Sequence, residues 1–123
     1  MKNILITGIT GQDGIFLSSK ILQEDKNISI YGTSRARNHD NFYKNLESIG
    51  VKSLNNISII NLDLFNEREV SNFINDKTPT AVYNLSGPSS VYNSINKPEK
   101  TISEITSIFG NLTSSLIKSN NFC

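Results

Sequence analysis

Three observations in this 123-residue chain predict an α/β fold built on a parallel sheet. Short apolar runs alternate with stretches whose apolar residues recur at helical spacing. The first run ends on a glycine-rich turn, Gly8-Ile9-Thr10-Gly11-Gln12-Asp13-Gly14, that opens a helical stretch. No linker, internal repeat or low-complexity tract breaks the alternation. Strands and helices in alternation imply parallel strands joined by crossovers. The expected architecture is a Rossmann-type parallel sheet with helices on both faces, truncated after about four strands.

The elements follow in order. Asn3–Thr7 is a short apolar run ending at a glycine, as expected of a strand buried on both faces. Gln12–Glu24 follows as a helix, with Ile15, Leu17, Ile21 and Leu22 at helical spacing. Ser29–Thr33 is a second strand. Residues 35–56 are polar and irregular, with one short helix around Tyr43–Ile49. Ile57–Leu62 is a third strand, and Asn66–Asn75 a helix with Val70, Phe73 and Ile74 on one face. Pro79 precedes a fourth strand, Ala81–Leu85, which Gly87-Pro88 ends. A long helix is expected from Pro98 to Ser119, with Ile102, Ile105, Phe109, Leu112, Leu116 and Ile117 inward. Phe122-Cys123 would begin a fifth strand, so residues 1–123 are expected to be the N-terminal part of a larger domain.

Composition excludes several functions. The formal net charge is +1 and no long run of one sign occurs, so neither nucleic acid nor an anionic membrane surface is indicated. No apolar run approaches the roughly 20 residues of a membrane span. The start, Met1 to Ile6, resembles a signal peptide only briefly before Thr7, Gly8 and Gln12-Asp13 interrupt it. Cys123 is the single cysteine, so no internal disulfide forms, in keeping with a cytoplasmic protein. Asn, Ile, Ser and Lys are frequent, as an AT-rich genome would give. The Asn-x-Ser/Thr sequons at Asn27, Asn56, Asn84 and Asn111 are read as by-products of that composition. His39 lies on the polar loop without partners for catalysis or metal binding, and no metal site is expected.

The glycine turn carries the functional reading. A glycine after a buried strand lets the chain turn sharply, a second admits a pyrophosphate, and a third lets the next helix pack close. Gly8, Gly11 and Gly14 occupy those points. The helix beginning near Gln12 would aim unpaired N–H groups and its positive dipole end at the phosphates. Glycines serving only a tight turn are the plainer alternative. Gly-x-x-Gly-x-x-Gly after Thr7 resembles the extended short-chain dehydrogenase/reductase superfamily, which modifies nucleotide sugars. The string with Gln12-Asp13 before the last glycine resembles, more narrowly, the GDP-mannose 4,6-dehydratase family.

NAD-binding Rossmann domains place an acid at the end of strand two for the ribose 2′-hydroxyl. Here Tyr31-Gly32-Thr33-Ser34 has none, and Arg35 and Arg37 follow. A guanidinium there can clamp a 2′-phosphate, which argues for NADP. Two arginines on a polar loop can also simply be solvated. The resembling family has adjacent arginines at this point, so Arg35 maps well and Arg37 approximately. In that family the loop also reaches a neighbouring subunit, which implies a homo-oligomer, dimer or tetramer, when full length.

Asp63 and Leu64 close strand three and match the family's Asp-Leu. The resemblance implies that Asp63 accepts from the adenine amino group and Leu64 packs on the ring. Asp63 can equally be a helix N-cap two or three residues early. Leu85, Ser86, Gly87 and Ser89 lie at the carboxyl edge of the sheet, where such folds bind ligands. Leu85, Ser89 and Val91 match the family's Leu-Gly-Ala-Gln-Ser-His-Val, whereas Ser86, Gly87, Pro88 and Ser90 depart from it. Lys100 stands where the family's Pro-Glu-Tyr-Thr has a cofactor-contacting tyrosine; pointing to solvent is the simpler reading.

Catalysis in the superfamily uses a Tyr-x-x-x-Lys pair on a later helix, the lysine lowering the tyrosine pKa. None of Tyr31, Tyr43, Tyr83 or Tyr92 has a lysine four residues on. The dehydratases' Ser/Thr-Glu segment is also absent, so no catalytic residue is expected within the chain. The cofactor-binding set is Gly8, Ile9, Thr10, Gly11, Gln12, Asp13, Gly14, Arg35, Arg37, Asp63, Leu64, Leu85, Ser86, Gly87 and Ser89, with NADP as cofactor. The resemblance implies the cofactor half of a hydro-lyase that turns GDP-mannose into GDP-4-keto-6-deoxymannose, inactive by itself. The alternatives are another nucleotide-sugar epimerase, reductase or dehydratase, and a non-catalytic NADP-binding module.

Overall fold

The computed structural model describes residues 2–35, 38–51, 54–86 and 98–119. Its elements are β1 (Lys2–Thr7), α1 (Gln12–Glu24), β2 (Ile28–Thr33), α2 (Asp40–Ser48), β3 (Ile57–Ile60), α3 (Glu67–Lys77), β4 (Ala81–Asn84) and α4 (Pro98–Lys118). The four strands form one sheet in the order β3-β2-β1-β4, every pairing parallel. That is the order of the first four strands of the doubly wound nucleotide-binding sheet. The chain divides into two compact units, Met1–Asn61 with Pro79–Leu85, and Leu62–Thr78 with Ser86–Phe122.

The first unit holds the whole sheet with α1 and α2. Leu5, Ile6 and Thr7 of β1 are fully buried, so this strand has no solvent face and needs no polar alternation. Ile4, Ile6, Ile9, Ile28, Ile30, Phe42, Leu46, Val51 and Ile57 form its core. In α1 the buried line is Gly14, Ser18 and Ser19, not the large side chains. Small residues bring the helix axis near the sheet, while Ile15, Leu17, Ile21 and Leu22 pack half-buried at its flanks. The Ser18 hydroxyl donates to the Gly14 carbonyl at 2.7 Å, which satisfies it inside the packed face.

The second unit pairs α3 with α4. Asn66 caps α3, its side-chain oxygen accepting from the Arg68 and Glu69 N–H groups. Val70 and Ile74 are buried, as the periodicity predicts, and Phe73 is half-buried. The inward face of α4 matches expectation at Leu112, with Leu116 half-buried, and differs elsewhere. Ile108, Leu112 and Ser115 are buried, whereas Ile102, Ile105, Phe109 and Ile117 are exposed. A helix with apolar residues around about half its circumference has several candidate stripes, and its packing partner selects one. Strand three also stops at Ile60, two residues early, because its last ladder partner is Thr33 at the end of β2. The expected strand at Phe122-Cys123 lies outside the described residues.

Candidate nucleotide-binding turn

The turn follows from three local facts. Gly8 leaves β1 with φ 67°, a left-handed conformation that a side chain disfavours. The Gly11 N–H closes back on the Gly8 carbonyl at 3.2 Å. Gly14 then sits so near the backbone of Ile9 that a Cβ would overlap it. The turn is thus tight because two of its glycines are sterically required.

Gly11 is the N-cap of α1, in extended conformation, and contributes no capping side chain. The N–H groups of Gln12, Asp13 and Gly14 have no intrahelical acceptor at this position in a helix. The first intrahelical bond runs from Ile15 N–H to the Gly11 carbonyl at 3.1 Å. Gly11, Gln12 and Asp13 are exposed. This helix start therefore meets the requirements of an anion cradle: first-turn donors without an intrahelical acceptor, a positive dipole end, and no capping side chain among the described residues. Residues of this turn fit the pyrophosphate of a dinucleotide.

Not every residue of the predicted set presents a side chain. Ile9 is fully buried in the core, so it can contribute only its backbone. Thr10 is half-buried, its hydroxyl 2.7 Å from that of Ser34. Arg35 is exposed two residues beyond β2, whereas Arg37 lies outside the described residues. Leu85 is exposed, and its N–H donates to the Thr7 carbonyl at 3.1 Å, which continues the β1–β4 pairing by one residue. Ser86 is half-buried, and Gly87 and Ser89 lie outside the described residues.

Asp63 and Leu64 belong to the second unit. Asp63 is not a helix cap: that position is taken by Asn66. Its carboxylate accepts from the Phe65 N–H at 3.0 Å and its carbonyl from the Asn66 N–H at 3.1 Å. The side chain is exposed and holds a turn of its own. Leu64 is buried, and its carbonyl accepts from Asn111 Nδ2 at 2.8 Å. Asn111 carries no signal in the sequence beyond its sequon, because its partner is 47 residues away. Thr33 and Asn84 are equally silent: Thr33 Oγ1 accepts from the Gly8 N–H at 3.2 Å, and Asn84 Oδ1 accepts from the Thr7 hydroxyl at 2.6 Å.

A parallel sheet in this order, with its first strand running through a glycine turn into an open helix start, defines the Rossmann class of α/β proteins. A family model described as GDP-mannose 4,6 dehydratase matches residues 5–113. The chain belongs to that family. It is 32% identical over 107 residues to the GDP-mannose 4,6-dehydratase of Vibrio cholerae, a match covering 81% of this chain and 27% of that relative. The chain thus spans about a quarter of the length of this curated relative. Among solved structures, the UDP-Glc/GlcNAc 4-epimerase of Campylobacter jejuni has the same fold, with TM-score 0.77 and 16% identity over 98% of this chain and 35% of that one. The UDP-glucose 4-epimerase of Bifidobacterium longum, solved with NAD+ and UDP, gives TM-score 0.77 and 17% identity, again over 98% of this chain and 35% of that one.

Proposed function

We propose that this protein is the N-terminal, NADP-binding part of a GDP-mannose 4,6-dehydratase, the hydro-lyase that converts GDP-mannose to GDP-4-keto-6-deoxymannose and water. The observation that carries the reading is the open start of α1, where Gly8, Gly11 and Gly14 leave the first-turn N–H groups uncapped. Membership of the dehydratase family supports the substrate. The absence of an acid at the end of β2, with Arg35 following, supports NADP over NAD.

When bound, NADP supplies the hydride acceptor for oxidation of the sugar at C4. The residues of this chain bind and orient. The N–H groups of Gln12, Asp13 and Gly14 take the pyrophosphate oxygens, and Arg35, with Arg37, pairs with the 2′-phosphate. Asp63 accepts from the adenine amino group, beside Leu64. Leu85, Ser86, Gly87 and Ser89, which follow β4 in the chain, are the remaining residues assigned to the cofactor. No residue here is assigned a proton transfer, and the 123 residues by themselves are expected to be inactive. In its full-length form the enzyme is expected to be a cytoplasmic homo-oligomer, dimer or tetramer. Among the described residues, no helix is long and apolar enough to cross a membrane.

Calorimetric titration tests the cofactor assignment. NADP is expected to bind more tightly than NAD, and equal affinity or preference for NAD rejects it. A dehydratase turnover by the isolated 123 residues would reject the expected inactivity. A nucleotide-sugar epimerase or reductase is a second reading, favoured by the departures at Ser86, Gly87, Pro88 and Ser90. Conversion of a UDP-sugar in place of GDP-mannose by the full-length enzyme would select it.

A further inference from the structure

We propose that Gly32 and Thr33, the last residues of β2, together with Ser34 form a clasp that sets the glycine turn, with Thr33 its main positioning residue. The inference rests on the reading of residues 8–14 as a cofactor turn and adds what holds that turn in shape. Three consecutive residues of one segment meet three of the other. The Gly8 N–H donates to Thr33 Oγ1 at 3.2 Å, and the Ile9 N–H donates to the Thr33 carbonyl at 3.0 Å. The Thr10 and Ser34 hydroxyls lie 2.7 Å apart. The Ile9 side chain fills the space over Gly32, where a Cβ would overlap it.

The regular β1–β2 register ends at Ile6 opposite Gly32. Beyond it Gly8 takes a left-handed conformation, and its N–H is received by the Thr33 side chain in place of a ladder carbonyl. Thr33 supplies two acceptors, one on the backbone and one on the side chain. Thr33 is almost fully buried and Gly8 half-buried, so a water replacing the lost hydroxyl would reach the Gly8 N–H from one side only and would not hold the turn to β2. Without that acceptor the turn shares its population with other conformations, and apparent affinity falls with the competent fraction. The clasp acts on the turn, which every dinucleotide uses, and not on the group that distinguishes NADP from NAD.

Thr33→Val removes the acceptor and keeps the β-branched shape; Thr33→Ser keeps the acceptor. Both are tested in the full chain. Amide hydrogen exchange at Gly8, followed by NMR, reads the clasp without ligand, and calorimetric titration with NADP and with NAD reads its consequence. Thr33→Val is expected to speed Gly8 exchange about tenfold and to weaken both nucleotides by a common factor of about ten. Thr33→Ser is expected to restore both readouts. If Thr33→Val does not fold, Ser34→Ala carries the test, with an equal loss of about threefold expected for the two nucleotides. Unchanged Gly8 exchange in folded Thr33→Val overturns the clasp. So does a loss confined to NADP, which would put the hydroxyl at the 2′-phosphate. Wild-type protein that binds neither nucleotide overturns the cofactor reading instead, and Gly8 exchange then decides the clasp by itself.

Discussion

Gly14, in the first turn of α1, lies against the backbone of Ile9 with no room between them for a Cβ. Gly11, three residues earlier, makes only an ordinary contact: a Cβ there would lie 3.5 Å from the Gly8 carbonyl oxygen. The two glycines therefore serve different ends, one packing and one access. Gly14→Ala is expected to destabilise the protein by about 3 kcal/mol, since backbone and not a flexible side chain must move. Gly11→Ala is expected to change stability by less than about 1 kcal/mol while weakening NADP binding, because its methyl group stands before the open helix start. Denaturant unfolding and calorimetric titration of the two variants check the division.

Arg35 stands exposed just past β2 and is the residue proposed to pair with the 2′-phosphate. Arg35→Ala is expected to weaken NADP by about 1.5–3 kcal/mol, the range for hydrogen bonds to charged groups. NAD affinity is expected to stay unchanged, since that nucleotide offers no charge at the position. Equal losses for the two nucleotides would remove Arg35 from the 2′-phosphate.

Asn66 and Asn111 anchor the second unit at neighbouring points, one capping α3 and one holding the Leu64 carbonyl. Asn66→Ala is expected to cost about 1 kcal/mol as a lost N-cap. Asn111→Ala leaves a carbonyl without its side-chain donor and is expected to cost a similar amount, about 1 kcal/mol. Thermal unfolding of both variants measures the effect.

Ser115 is buried in α4 and its hydroxyl has no hydrogen-bond partner among the described residues. Ser115→Ala removes an unsatisfied polar group at little loss of volume. A gain of about 1 kcal/mol in unfolding free energy is expected, and a loss would show that the hydroxyl has an acceptor in solution.

Glu67 pairs with Lys118 at 2.9 Å, and the ammonium hydrogen bond and then its charge hold the carboxyl below the ordinary glutamate range; desolvation opposes them, and the Ser114 hydroxyl adds the smallest lowering effect. A depressed folded pKa gives a contribution present above the unfolded value and lost as the pH falls through the folded one. The pair is solvent-exposed, so the effect on stability is small. Lys118→Met is expected to raise the Glu67 pKa toward the ordinary value, read by NMR titration of the carboxyl, and to flatten acid sensitivity in that window.

Much of the fold was legible because its signals are local. The bounds of α1 follow from Gly11 and the apolar spacing after it, and the strands follow from short apolar runs. The turn was legible for the same reason, since Gly8, Gly11 and Gly14 are chain neighbours whose spacing encodes their geometry. The inward face of α4 was not. Ile102, Ile105 and Phe109 form as good a stripe in sequence as Ile108 and Leu112, and only the partner helix distinguishes them. The clasp was equally hidden, because Gly8 and Thr33 are 25 residues apart and a threonine at a strand end has no signature of its own.

The sequence by itself thus determined the class of fold, the glycine turn and the family, all of which rest on residues close along the chain. Tertiary structure decided which side chains hold that turn, which residue caps α3 and which stripe of α4 is buried. Those choices depend on hydrogen bonds and contacts between segments distant in sequence, and their energies exist only once the segments meet.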